Sequence, residues 1–187
     1  QGKTAEAEAV FRRVIDSSKD EAPVNQARGA LATSVLGRGD KPAGVALVKE
    51  LLEKDARNEQ GLLLRAGLAM EEGRLEDAIG DLRTILRDVP DSARAHAVLA
   101  RAHDMQGSKD LASDHFARSF AAGRSQPVFG MAYAEFLLRN NEPQKVEEVL
   151  REVLRSSPDN VQAMRMLAQT YVTTGKLAQA QLIADDL

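Results

Sequence analysis

The sequence predicts an all-α protein built from repeated antiparallel helix pairs. Three observations carry that reading. The first is composition: Ala is the commonest of 187 residues, Leu and Arg are frequent, and the aromatics are only five Phe and two Tyr. Ala, Leu, Arg and Glu are strong helix formers, whereas a β-sandwich or barrel draws on β-branched and aromatic residues. The second is a period. Gly39, Gly73 and Gly107 are spaced by 34, and Gly175 lies 68 beyond Gly107. The missing member of the series is Asn141, and Asn is the usual substitute for Gly where φ is positive. The third is a small residue at a fixed phase, Ala32, Ala66, Ala100, Ala134 and Ala168.

Cut at that period, the units are 25–58, 59–92, 93–126, 127–160 and a partial 161–187, preceded by a partial repeat plus insertion over 1–24. Counting from the first residue of each unit, position 20 reads Gly44, Ala78, Ala112, Val146 and Ala180. Small residues at positions 8 and 20 let two helices approach closely. Position 24 reads Val48, Leu82, Phe116, Leu150 and Ala184, mostly larger residues that fill the space alongside.

The elements follow in order. Gly2-Lys3-Thr4 fits the turn of an earlier unit, and a second helix over 4–17 carries Ala7, Phe11 and Val14. Three extra residues, Ala22-Pro23-Val24, then imply either a longer loop or a helix extended by a turn before the helix over 23–36. Helices are expected over 41–55, 59–72, 75–88, 93–106, 109–122, 127–140, 143–156, 161–174 and 177–187. Pro42 and Pro143 sit just inside helix starts, where Pro is tolerated, with Asp40 and Asn141 as caps. Pro90 and Pro158, each followed by Asp and a polar residue, end one helix and cap the next. A single helix pair cannot bury its apolar face, so the pairs must stack. The chain is expected to be a window of a longer array.

This pattern resembles the tetratricopeptide repeat (TPR) family, with its small residues at positions 8, 20 and 27, Gly near 15 and Pro at 32. The best-matching stretch is 62–90. Position 4 departs from the family, being Arg28, Leu62, His96, Gly130 and Met164 and never Trp, and position 27 is often large, as at Leu51, Ile85 and Val153. The resemblance implies a right-handed superhelical solenoid. It also implies a concave groove lined by the first helix of each unit, through positions 2, 5, 9, 12 and 13. Carried over, the groove residues are Leu63, Met70, Arg94, Arg101, Met105, Met131, Glu135, Leu138, Arg139 and Arg165. Met suits adaptable peptide contact and Arg suits carboxylates. A chaperone-tail clamp is absent: its positions are Leu63, Gly67, Val98, Val128 and Ala132 in one register, and Ala97, Arg101, Ala132, Gln162 and Met166 in the next.

Other chemistry finds little footing. The chain has no Cys, which removes disulfides, zinc ribbons and thiol catalysis. A net charge of −3 argues against a nucleic-acid partner. No apolar run approaches the ~20 residues of a membrane helix. Gly2-Lys3-Thr4 lacks the earlier Gly of a phosphate loop. His96 and His103 share a helix face at positions 4 and 11, which are packing positions in the other units. The pairs Glu71-Glu72 and Glu147-Glu148 read as solvated faces. No catalytic, cofactor or metal residue is expected.

The expected function is a non-enzymatic scaffold that binds a protein or peptide partner in the groove. The Arg- and Ala-rich style is similar to bacterial TPR proteins of exopolysaccharide export and envelope sorting. That favours a periplasmic or envelope-associated location, with the cytoplasm as the alternative. Rival readings are the substrate-recruiting arm of a larger enzyme, and the sensing or spacer region of a transcription regulator. Self-association is expected through apolar stripes at the two ends, Ala7, Val10, Phe11, Val14 and Ile15 at one and Leu177, Ala180 and Ile183 at the other.

Overall fold

The computed structural model describes residues 2–123 and 126–185, with Gly2 and Lys3 as backbone only. Among these residues there are eleven helices and no strand. They are α1 (Gly2–Ser17), α2 (Glu21–Gly37), α3 (Lys41–Lys54), α4 (Glu59–Glu71), α5 (Leu75–Asp88), α6 (Ala93–Met105), α7 (Lys109–Ala122), α8 (Pro127–Arg139), α9 (Pro143–Ser156), α10 (Val161–Thr173) and α11 (Leu177–Asp185). Within the first unit α1 to α5 pack on one another in chain order, and within the second unit α6 to α11 do the same, with α6–α7 the most extensive pair. The chain divides into two compact units, Gln1–Asp88 and Val89–Leu187.

The predicted period is visible in the backbone. Gly39, Gly73, Gly107 and Gly175 all have positive φ, and Asn141 is the one non-Gly described residue that does, at φ 58°. At each of these places the chain closes the same Schellman motif. In the last of the series Lys176 N donates to the Tyr171 carbonyl and Gly175 N to that of Val172. Asn141 therefore ends α8 and does not cap α9, as the sequence suggested. A residue in the left-handed region has already served the helix before it. The residue preceding α9 is Glu142, which makes no side-chain capping bond. Asp40 does cap α3, accepting from Ala43 N, and Asn58, Ser92 and Asn160 cap α4, α6 and α10 likewise.

Two local differences appear. The extra residues 22–24 extend α2 by a turn: Asp20 caps the helix through Ala22 N, and Pro23 sits in its first turn, where no hydrogen bond is lost. Residues 2–4 are helical, not a turn.

The core is assembled from the phased positions. Ala32, Ala66, Ala100 and Ala134 are wholly buried, as are Ala78, Ala112 and Val146. A Cβ on Gly44 would lie 2.3 Å from Leu36 Cδ2, so α2 and α3 meet there. The departures at positions 4 and 27 are also packing solutions. A Cβ on Gly130 would fall 2.3 Å from Val153 Cγ2 and 2.8 Å from Phe120 Cε2. Ser119, fully buried, donates its hydroxyl to the Ala93 carbonyl at 2.8 Å, so a polar residue is tolerated at position 27 of that unit.

The turn geometry makes a test. Asn141→Gly should hold or raise stability, while Asn141→Ala should cost about 1 kcal/mol, because Ala keeps the Cβ that crowds the backbone at positive φ and loses the polar side chain that lets Asn tolerate it. Urea unfolding of both variants beside the wild type checks this. Equal stability of the two would remove the account of the turn.

Candidate partner-binding site

In the first unit, α2 and α4 present one face together. Gln60 Nε2 donates to Thr33 Oγ1 at 3.1 Å, and Gln60 lies over Gly29, where a Cβ would come within 2.4 Å of its Oε1. Beside this bridge is an open cleft of about 490 Å³, floored by Leu36, Leu63, Leu64 and Leu68 and widened at Gly67, which has open space where a side chain would stand. Lys41 and Glu71 close one end, with Nζ 3.3 Å from Glu71 Oε2. Leu63 lines this cleft. Met70 does not offer surface: it is 7% exposed and belongs to the core.

In the second unit the corresponding face is carried by α6, α8 and α10. Arg94, Arg101 and Arg165 are exposed there, and among the described residues none of them has an ion-pair partner. Arg139 differs, since its Nη2 reaches Asp104 Oδ2 at 2.7 Å and ties α8 to α6. Glu135 is exposed on the same helix. Met105 is 55% and Leu138 41% exposed, with Val128 and Val172 also open. Met131 is 7% exposed and packs in the core cluster with Phe116, Phe136 and Leu137. Met70 and Met131 are apolar side chains on short helices that have a core to fill, and burial wins over contact with solvent. At the far side of α10, Ala168, Val172, Leu177, Ala180 and Ala184 line a second open cleft of about 500 Å³.

Two polar features carry more structure than the sequence indicated. His96 and His103 are buried, as position and period implied, but both stack on His115 of α7, at centroid distances of 5.2 and 5.6 Å. His96 Nε2–H donates to the Pro90 carbonyl at 2.9 Å. That leaves His96 Nδ1 as acceptor for His115 Nδ1–H at 3.0 Å. Burial, and then the neighbouring His96 and His103, push the His115 imidazole down to about 4. The signal for this ladder was present in the spacing of His96 and His115, 19 apart, but only the crossing of α6 and α7 reveals it. No group of three His, Asp or Glu among the described residues could hold a metal ion. Glu147 is not the solvated residue expected: it sits between Lys176, Tyr171 and Arg151, and Lys176 Nζ, 2.5 Å away, holds its carboxyl below the usual range against the opposing effect of burial.

Comparison with known families and structures agrees with this architecture. Residues 79–183 match the family described as the cytochrome c-type biogenesis protein H TPR domain, and residues 30–87 match a tetratricopeptide repeat family. A thermophilic TPR protein of Thermus thermophilus is similar in structure, with TM-score 0.75, 20% identity, and 91% of this chain and 92% of that one covered. Pseudomonas aeruginosa pilF is similar at TM-score 0.69 and 18% identity, with 99% and 92% covered. YrrB, described as a TPR protein with an unusual peptide-binding site, is similar at TM-score 0.60 and 14% identity, with 96% and 90% covered. Comparison with curated protein sequences finds no match. No described helix is long and apolar enough to cross a membrane.

The histidine ladder predicts a pH dependence. His115 is held neutral in the folded state, while an unfolded His takes a proton near 6.5. Stability is therefore fully present above about 6.5 and falls as pH drops towards 4, because the unfolded chain binds the proton first. Asp114 opposes the shift and Arg118 adds to it. Thermal unfolding from pH 8 to 4.5 should show this fall in the wild type and a shallower one in His115→Gln. Identical profiles would exclude the ladder as its source.

Proposed function

The chain belongs to the tetratricopeptide repeat family of the cytochrome c-type biogenesis protein H TPR domain, and from that premise we propose that it is a non-catalytic scaffold that holds a protein partner. The partner segment is an extended or helical peptide with acidic residues and an apolar anchor, bound on the first-helix faces. The observation that carries this reading is the pairing, within the second unit, of three arginines that have no ion-pair partner among the described residues with exposed Met105 and Leu138. Arg94, Arg101, Arg139 and Arg165 outnumber Asp104 and Glu135 on that face, although the chain as a whole is acidic. A carboxylate brought to a free guanidinium breaks no existing ion pair, so binding costs little electrostatic reorganisation. In the first unit, the Leu36–Leu63 cleft supplies apolar contact.

Affinity should be modest, because mobile Met and Arg side chains are ordered on binding. The family description favours an assembly concerned with cytochrome c-type biogenesis over one for polysaccharide export, which rests on sequence style alone. The periplasmic or envelope location belongs to the same proposal. Self-association through the apolar cleft beside α11 is a second use of an exposed face, since Leu177 and Val172 stand open there.

Charge reversal tests the reading. A helical probe peptide rich in Glu and Leu should bind the wild type and lose about tenfold, on the order of 1.4 kcal/mol, against Arg101→Glu with Arg165→Glu. Leu138→Asp should weaken it further. Fluorescence anisotropy at two salt concentrations reads both effects, and the charge component should shrink at high salt. Equal binding by wild type and variants would assign the partner to some other surface.

A further inference from the structure

The first helices of the repeat end on Gly37, Glu71, Met105, Arg139 and Thr173, and all five are exposed. Four of these are glycine or polar, so the repeat asks for no apolar residue at that place. Met105 is the exception, and it is 55% exposed. The other methionines are withdrawn. Met70, Met131 and Met164 are buried, and Met166 is half-buried against the core cluster. A dissolved oxidant attacks a thioether only where it can reach the sulfur, so Met105 is the methionine placed to react first.

Arg101 stands one turn before Met105 on the same face of α6. Side chains on a helix lean towards its N-terminus, which carries the Met105 thioether over the turn that holds Arg101. Arg101 is exposed and has no ion-pair partner among the described residues. Asp104, the carboxylate next to Met105 in the chain, is taken by Arg139 at 2.7 Å. A thioether sulfur is a weak acceptor and offers the guanidinium little. A sulfoxide oxygen is a polar acceptor, and Arg101 has N–H groups to donate to it.

We propose that Met105 is a reversible oxidation site for hydrogen peroxide, and that its sulfoxide is held by Arg101, which withdraws both residues from the partner-binding face. The sulfur lone pair attacks one peroxide oxygen. An S–O bond forms as the O–O bond breaks, and the departing hydroxide takes the proton from the transferred oxygen. The products are sulfoxide and water, with sulfur oxidised and peroxide reduced. A methionine sulfoxide reductase with thiol as reductant reverses the step: the oxygen leaves as water and a pair of thiols becomes a disulfide. The effect on binding rests on the first-helix face being the partner site, whereas the chemistry at Met105 does not.

The test treats the full chain with hydrogen peroxide and maps oxidation by peptide mass spectrometry. Met105 sulfoxide should form about tenfold faster than that of Met70, Met131 or Met164, with the melting temperature unchanged. The Arg101 Nε–H resonance should shift as Met105 oxidises, return after reductase treatment, and stay fixed in Met105→Leu. The helical peptide rich in Glu and Leu should bind the oxidised wild type about tenfold more weakly, and Met105→Leu equally before and after peroxide. Equal oxidation of Met105 and the buried methionines, or an Arg101 signal that does not respond to the sulfoxide, would overturn the proposal whether or not the peptide binds. Equal binding by reduced and oxidised wild type would overturn it as well. A peptide that binds neither form, with Met105 oxidised first and Arg101 shifted, would uphold the oxidation site and remove the first-helix face as the partner site.

Discussion

Ala66 on α4 and Ala78 on α5 have no solvent exposure, and neither do Ala100 on α6 and Ala112 on α7. These residues mark the places where two helices of a pair cross with almost no side chain between them. The distance at the crossing sets how far the rest of each helix lies from its partner. It therefore decides which larger residues fit alongside: Leu82, Phe116 and Leu150 are all buried one turn beyond the small residue at position 20. Full burial of such a side chain stabilises by about 1.5–3 kcal/mol, so the filling residues provide the energy while the small ones provide the geometry. The left-handed turn that follows each first helix performs the remaining task, directing the second helix back along the first.

Departures from the repeat are where chemistry gathers. A position that is apolar in most units is occupied by Arg65, which pairs with Asp81 at the edge of an open groove. Two core positions occupied by His96 and His103 bring imidazoles into a buried stack with His115. Arg65 and His103 stand where the other units carry mostly apolar residues, and all three would be costly in a core without their partners. The first-helix faces show the complementary case. There the repeat asks nothing of the exposed positions, and Arg94, Arg101 and Arg165 stand exposed with no ion-pair partner among the described residues.

Fold and period were legible because both rest on local rules. Gly39, Gly73 and Gly107 announce a positive φ that other residues adopt at a cost, and Asn141 could be recognised as their substitute. Helix limits followed from the same punctuation, to within a residue or two over α3 to α10. The proposed binding face was legible only in part. Repeat position indicated which helix face Leu63, Arg101 and Leu138 occupy, but it could not show that Met70 and Met131 bend into the core, since a flexible thioether chain at the edge of a face can go either way. Nor could it separate Arg139, paired with Asp104 on a neighbouring helix, from Arg101. Glu147 was misjudged for a similar reason. Its partner Lys176 lies 29 residues away and meets it only because α9 and α10 pack together.

The central claim is that the small residue at position 8 is required by helix crossing and not by helix propensity. Enlarging it in two settings separates these causes. Ala100 is wholly buried, whereas Ala168 holds the same repeat position but lies half-buried beside an open cleft. Leu and Ala differ little in helix propensity, so propensity alone predicts small and similar effects. The measurement is urea unfolding of Ala100→Leu and Ala168→Leu. Ala100→Leu should lose about 1–3 kcal/mol through overpacking, and Ala168→Leu should stay within about 0.5 kcal/mol of the wild type. Equal effects at the two positions, or an unperturbed Ala100→Leu, would contradict the account.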